Sequence, residues 1–155
     1  MTLETQAATF MDQALAQAKQ AGQRGEVPVG AVLVRDNDII ARAGNRTLEL
    51  HDPTAHAEIL VIRETCQELS TQRLPDCDLY VTLEPCAMCA AAISFARIRR
   101  LYFGASDPKS GGVLHGGQFF AQATCHHAPD VYSGIGEIEA ARLLKTFFEV
   151  RRRQA

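Results

Sequence analysis

Two short segments constrain this chain more than any other part of it: Thr54-Ala55-His56-Ala57-Glu58 and Glu84-Pro85-Cys86-Ala87-Met88-Cys89. The first offers an imidazole and, two residues on, a carboxylate. The second offers two thiols with two residues between them. His56, Cys86 and Cys89 suit Zn²⁺, and a fold that uses them together must bring segments about thirty residues apart to one point. A structural zinc site is closed by four protein ligands, whereas a catalytic one has three and keeps a position for water. Nothing nearby completes the fourth position as well as water would. The pattern therefore implies one catalytic zinc centre with Glu58 as proton carrier. A structural site would need His51 or His127 as its fourth ligand, and a non-catalytic zinc module would leave Glu58 without a role.

At 155 residues the chain has the length of one domain, residues 1–155, with a real core, and its 46% hydrophobic content marks it as globular. The formal charge of -2 gives no global basic signature, yet leaves room for a local cationic patch. Five cysteines is an odd number. No secretory hydrophobic region precedes the first helix, and no apolar run is long enough to cross a membrane. These features point to a reducing, cytoplasmic setting where thiols bind metal or stay free.

Phe10, Met11, Ala14, Leu15 and Ala18 recur at helical spacing and predict a helix over about Thr5–Ala21. Val29–Val34 is apolar on both faces, as a strand covered on both sides should be, and the turn signal Asp36-Asn37-Asp38 returns it as a hairpin through Ile39–Ala43. Asn45 follows; spacing alone makes it a turn residue. Thr54 is a candidate N-cap for the next helix, with Ile59, Ile62, Cys66 and Leu69 facing inward and His56 and Glu58 in the first turn. Leu79–Leu83 alternates as a third strand, and Cys86–Phe95 is an alanine-rich helix opening on both cysteines. Arg97, Arg99 and Arg100 then suit either a helix C-terminus or phosphates, before a strand at Leu101–Phe103. Gly104–Gly117 is a long glycine-rich loop, Phe119 and Phe120 anchor a short turn, and Val131–Ser133 is an edge strand after Pro129. Cys125, His126 and His127 form a second metal site only with further ligands, and none is in register. Gly136–Arg152 is the last helix, with Ala140, Leu143, Leu144, Phe147 and Phe148 wholly or partly inward.

This order predicts an α/β three-layer α-β-α sandwich on a mixed five-stranded sheet, with strands joined through helices running parallel apart from the first hairpin. Both zinc-bearing helices then start at the same sheet end, where open α/β folds place their sites. Zinc held by an imidazole and two thiolates lowers the pKa of bound water from 15.7 to about 7. Glu58 beside it can take that proton, deliver it to a ring nitrogen and then protonate a leaving amine. The implied reaction is hydrolytic loss of ammonia from an amino-substituted heteroaromatic ring. A lone Cys-x-x-Cys is a weak signal; His-x-Glu followed by Pro-Cys-x-x-Cys, with a strand between, is the joint signature of zinc deaminases.

Further motifs extend from the first helix to the last. Glu26-Val-Pro-Val-Gly-Ala-Val32, Gly44-Asn45-Arg46, His51–Glu58, Tyr80–Cys86, Phe103-Gly-Ala105 with Asp107-Pro-Lys109, and Leu143-Leu-x-x-Phe-Phe148 together resemble the cytidine deaminase superfamily, and within it the bacterial tRNA adenosine deaminases. The resemblance implies a cytidine-deaminase-like fold, one Zn²⁺ per chain on His56, Cys86 and Cys89, and Glu58 as proton shuttle. It implies a homodimer acting on a flipped adenosine of the tRNA anticodon loop, with Asn45 bonding the base, Asp107 a neighbouring ribose, and Phe148, with Phe147 beside it, lining the substrate side. The chain differs from that family at His126-His127-Ala128-Pro129, and in a loop reading Gly-Gly-Val-Leu-His-Gly-Gly. These differences, His115 and the modest charge fit a second reading, a deaminase of a free nucleobase or nucleoside such as guanine or cytosine.

Overall fold

In the computed structural model, which describes residues 2–155, five strands form one sheet: β1 (Gly30–Arg35), β2 (Asp38–Gly44), β3 (Cys77–Leu83), β4 (Arg100–Ala105) and β5 (Asp130–Tyr132). Their spatial order is β2-β1-β3-β4-β5. β1 runs antiparallel to both neighbours, and β3, β4 and β5 are parallel. β2 and β3 therefore point the same way, as do the other strands joined across helices, and β5 lies at the edge. The four helices are α1 (Leu3–Gln23), α2 (Ala57–Leu69), α3 (Ala87–Phe95) and α4 (Glu137–Gln154), with a 3-10 turn at Phe119–Ala121.

Helices cover both faces of the sheet, which is why β1 and β3 are buried almost throughout. Leu33, Leu79, Leu101 and Phe103 pack with Val61 of α2 and Ala90 and Ile93 of α3 in one core layer. Val32, Val34 and Tyr80 pack with Met11 and Leu15 of α1 and Ala140 of α4 in the other. Tyr80, Tyr102 and Tyr132 stand in register across β3, β4 and β5, with ring centroids 4.4 and 4.8 Å apart. α1 lies directly on the hairpin because Gly30 and Gly44 are opposite each other. A Cβ at Gly44 would come within 2.7 Å of Gln17 O, and one at Gly30 would run into the backbone of Ala14 and Ala18.

Two local expectations change. The buried face of α2 is Ala57, Glu58, Val61 and Thr65, while Ile59, Ile62, Cys66 and Leu69 are only half-buried. Small side chains at Ala57 and Thr65 let the helix settle closer to the sheet than the bulky stripe would, and that rotation turns Glu58 inward. The arginines after α3 also differ from a free phosphate cluster: Arg99 holds Asp78 through two hydrogen bonds of 3.0 Å, and Arg100 stands 3.8 Å from the same carboxylate.

Gly44 at the end of β2 faces Gly30 at the start of β1, and Leu83 faces Ala105 at the ends of β3 and β4. The segments carrying Asn45, His56, Cys86 and Asp107 thus leave the sheet at one end.

Candidate active site

His56 and Cys86 occupy equivalent places, each the extended N-cap of its helix, α2 and α3, rather than a residue of the first turn. Cys89 follows within the first turn of α3. His56 Nδ1 lies 3.6 Å from Cys86 Sγ and 3.5 Å from Cys89 Sγ. Tetrahedral zinc with Zn–S near 2.3 Å and Zn–N near 2.0–2.1 Å requires an N···S separation of about 3.6 Å. Ligand atoms of all three residues lie within 4.8 Å of one another, so the donor set fits one zinc ion. Among the described residues no other group of three such side chains gathers this way. Cys125 instead contacts Ser94 Oγ and the carbonyl of His127, and His127 Nε2 bonds the carbonyl of Ile98 at 2.7 Å.

The thiols are electrically unequal. The hydrogen bond from Cys89 and then that from His56 pull Cys86 down to about 4, against its burial, so it is a ready thiolate. Cys89 is pushed far up, because it bonds Cys86 and is buried. His56 is raised by its bond to Cys86. The geometry is that of a ligand cluster sharing protons that a cation would displace.

Glu58 is 4% exposed, and its Oε1 has no hydrogen-bond partner. Burial raises its pKa above the ordinary carboxylate range. A buried, unpartnered carboxylate is expensive to keep. Hydrogen bonds to Cys89 and to its own backbone amide offset that burial only in part, and Oε1 stays free beside the ligand cluster.

Asn45 does more than turn the chain. Its Oδ1 accepts a hydrogen bond from Ala57 N at 2.8 Å, so it caps α2 from twelve residues upstream. Thr54 is not the cap, since its N and Oγ1 both donate to Asp52 Oδ1, at 2.8 and 2.7 Å. With Oδ1 committed, the Nδ2 of Asn45 is the group left to donate to a ligand. Asn45, His56, Glu58, Cys86 and Asp107 line one pocket of about 220 Å³ together with Thr47, Leu83 and Ser110.

Asp107 also lines a second, larger depression of about 680 Å³, which shares Val27, Leu83 and Ser110 with the pocket and adds Lys109, Phe148, Arg151 and Arg152. Phe148 is therefore placed beside the pocket, with 45% of its surface exposed. Phe147 points elsewhere, under the guanidinium of Arg151 at 4.6 Å.

Sequence reasoning assigned no role to Glu84. Its side chain is fully buried at the end of β3, and its carboxylate accepts hydrogen bonds from Asp107, Val113, Leu114 and His115 amides and pairs with His115 Nδ1. Burial would raise its pKa, but these donors outweigh it and hold the carboxyl below its ordinary value. The available signal was a carboxylate ending an apolar strand ahead of a glycine-rich loop full of free amides.

Residues 4–105 match the cytidine and deoxycytidylate deaminase zinc-binding region. Over 143 residues, 92% of the chain and 94% of the relative, the sequence is 66% identical to a tRNA-specific adenosine deaminase of Agrobacterium fabrum. A solved structure from a study of A-to-I editing by tRNA:A34 deaminases superposes with a TM-score of 0.87 at 67% identity, covering 88% of this chain and 99% of the other. A guanine deaminase from Bacillus subtilis is less similar, with a TM-score of 0.63 at 40% identity, covering 68% of this chain and 66% of that one. The sheet order, the ligand geometry and these likenesses converge: the chain belongs to the cytidine and deoxycytidylate deaminase family and is a zinc-dependent hydrolytic deaminase.

Proposed function

We propose that this chain hydrolyses adenosine to inosine in the anticodon loop of tRNA. The observation that carries the reading is the mouth of the pocket: it opens into a groove bearing Lys109, Arg151, Arg152 and an exposed Phe148. Cations placed to meet phosphates and an aromatic ring free to stack suit a single-stranded loop. A free base would be enclosed over most of its surface. The likeness to tRNA-specific adenosine deaminases supports the same substrate.

His56, Cys86 and Cys89 are the residues that would hold zinc. When bound there, the ion supplies Lewis acidity that makes a water molecule acidic near neutral pH. Glu58 accepts the proton of the attacking water and passes it to a ring nitrogen. It then carries the water's second proton to the exocyclic amine, which leaves as ammonia when the C–N bond breaks. Burial suits Glu58 to this, because it lets the carboxyl hold a proton at a pH where an exposed one would not. Asn45 Nδ2 donates to the base. Asp107 Oδ1 is occupied by the amides of Lys109 and Ser110, at 3.2 and 3.0 Å, which leaves Oδ2 for a ribose hydroxyl.

The chain acts as a homodimer in the cytoplasm on this reading. Phe95 is 72% exposed, and Ile59, Ile62, Ala92 and Phe95 line an open groove across α2 and α3. Among the described residues, no helix is long and apolar enough to cross a membrane. Sedimentation should show a dimer that Phe95→Asp converts to monomer.

The test of function is direct competition. Purified, zinc-loaded protein is incubated with an adenosine-bearing anticodon stem-loop and with adenosine, guanine, cytosine and cytidine. Inosine in the stem-loop is expected. An unchanged stem-loop beside rapid ammonia release from a free base would reverse the assignment.

A further inference from the structure

The loop after β4 carries Asp107 and Ser110 to the pocket wall, yet it has little regular structure of its own. What holds it is one carboxylate. Glu84 Oε1 accepts from Asp107 N at 3.0 Å and from His115 Nδ1 at 2.8 Å. Glu84 Oε2 accepts from Val113, Leu114 and His115 amides at 3.2, 2.9 and 3.1 Å. The loop's two ends are thus gathered on a side chain two residues before Cys86. Gly112 N also bonds Pro85 O at 2.8 Å, and a Cβ at Gly112 would meet the Ala87 backbone at 2.6 Å, so the loop lies flat against the start of α3.

We propose that Glu84 and His115 form a latch that positions the Asp107 loop for substrate. This rests on the deaminase reading above. Glu84 borders the pocket but spends both carboxylate oxygens on the loop, and His115 lies outside the pocket lining. Glu84 collects the backbone donors, and His115, whose side chain is about one-third exposed, closes the outer end by a single side-chain bond. Releasing it leaves Glu84 with the four backbone amides alone and loosens the segment carrying Asp107 and Ser110 without touching His56, Glu58, Cys86 or Cys89. The cost falls on substrate capture, because the loop wall of the pocket and groove shifts while the zinc cluster stays.

The test compares wild type, His115→Ala, His115→Gln and Glu84→Gln, each with zinc content, anticodon stem-loop kinetics and amide hydrogen exchange. For His115→Ala, KM is expected to rise about tenfold, the scale of one hydrogen bond to a charged group, with kcat within about twofold. Zinc should stay at one per chain, and exchange should quicken within residues 105–117 alone. His115→Gln, whose amide can donate to Glu84, should recover most of the KM. Glu84→Gln, which sets an amide among backbone donors, should show the larger exchange change if it folds. Unchanged KM and exchange in His115→Ala overturn the latch. So does zinc loss in that variant, which would make the pair a strut of the metal site. If wild type leaves the stem-loop unconverted, the substrate reading fails, and the confined exchange change still decides the latch.

Discussion

Glu58 and Arg151 stand at opposite ends of the site and are held in opposite ways. Glu58 is 4% exposed, lies two residues from one ligand candidate, and keeps an unpartnered oxygen in a low-dielectric pocket. Arg151 lies on the surface of α4, over the Phe147 ring, with its guanidinium donating to Gly25 O at 2.5 Å. The pocket floor comes from two short motifs at helix starts, and its electrostatics depend on exclusion of water. The groove is assembled from α4 and the loop after β4, and its charges work through solvent. The floor can set the reaction with high specificity, while the groove can tune which molecule reaches it without altering the chemistry.

Substitutions should separate the two regions by the size and kind of their effect. The largest is expected from Cys89→Ala, which removes a ligand candidate from the floor: zinc and turnover should disappear together, checked by metal analysis beside inosine formation. Undiminished zinc would remove Cys89 from the ligand set. Glu58→Gln should lower kcat by about 10²–10⁴-fold while zinc stays bound. Full turnover with metal in place would contradict its role as proton carrier.

Asn45→Asp tests the seam between regions. Aspartate keeps an acceptor for Ala57 N, so the cap and the melting temperature should hold, but it cannot donate to the base. We expect kcat/KM to fall about tenfold, the worth of a lost hydrogen bond at its upper range. A fall in melting temperature with normal kcat/KM would leave Asn45 a cap and nothing more. The smallest effects should come from the groove. Arg152→Ala is expected to weaken stem-loop binding uniformly across sequences and to reduce the salt slope by about one, with no change in deamination of free adenosine, if any is measurable. A salt slope that does not move would take Arg152 out of the RNA path.

The helices and strands were legible because their apolar periods are strong and their turn signals plain. The ends were less so: β4 runs to Ala105 rather than Phe103, and α2 starts at Ala57. α2 misled because its bulky residues, Ile59 and Ile62, sit beside the buried face, and small residues occupy that face. Sequence periodicity registers size and hydrophobicity, whereas close approach to a sheet selects for smallness. Asn45 and Glu84 were harder still, since each acts on backbone amides at least twelve residues away, and nothing local marks such a partner.

By itself the sequence determined the candidate ligands, the carboxylate proposed as proton carrier and the order of elements, because residue type and short spacing carry that chemistry. Only the tertiary structure decided that His56 Nδ1 stands 3.5–3.6 Å from both thiols, that Asn45 is aimed by the helix it caps, and that the pocket opens onto cations of α4. Those outcomes depend on contacts between residues far apart in the chain. They exist only once packing of both sheet faces has brought the ends of β2, β3 and β4 together.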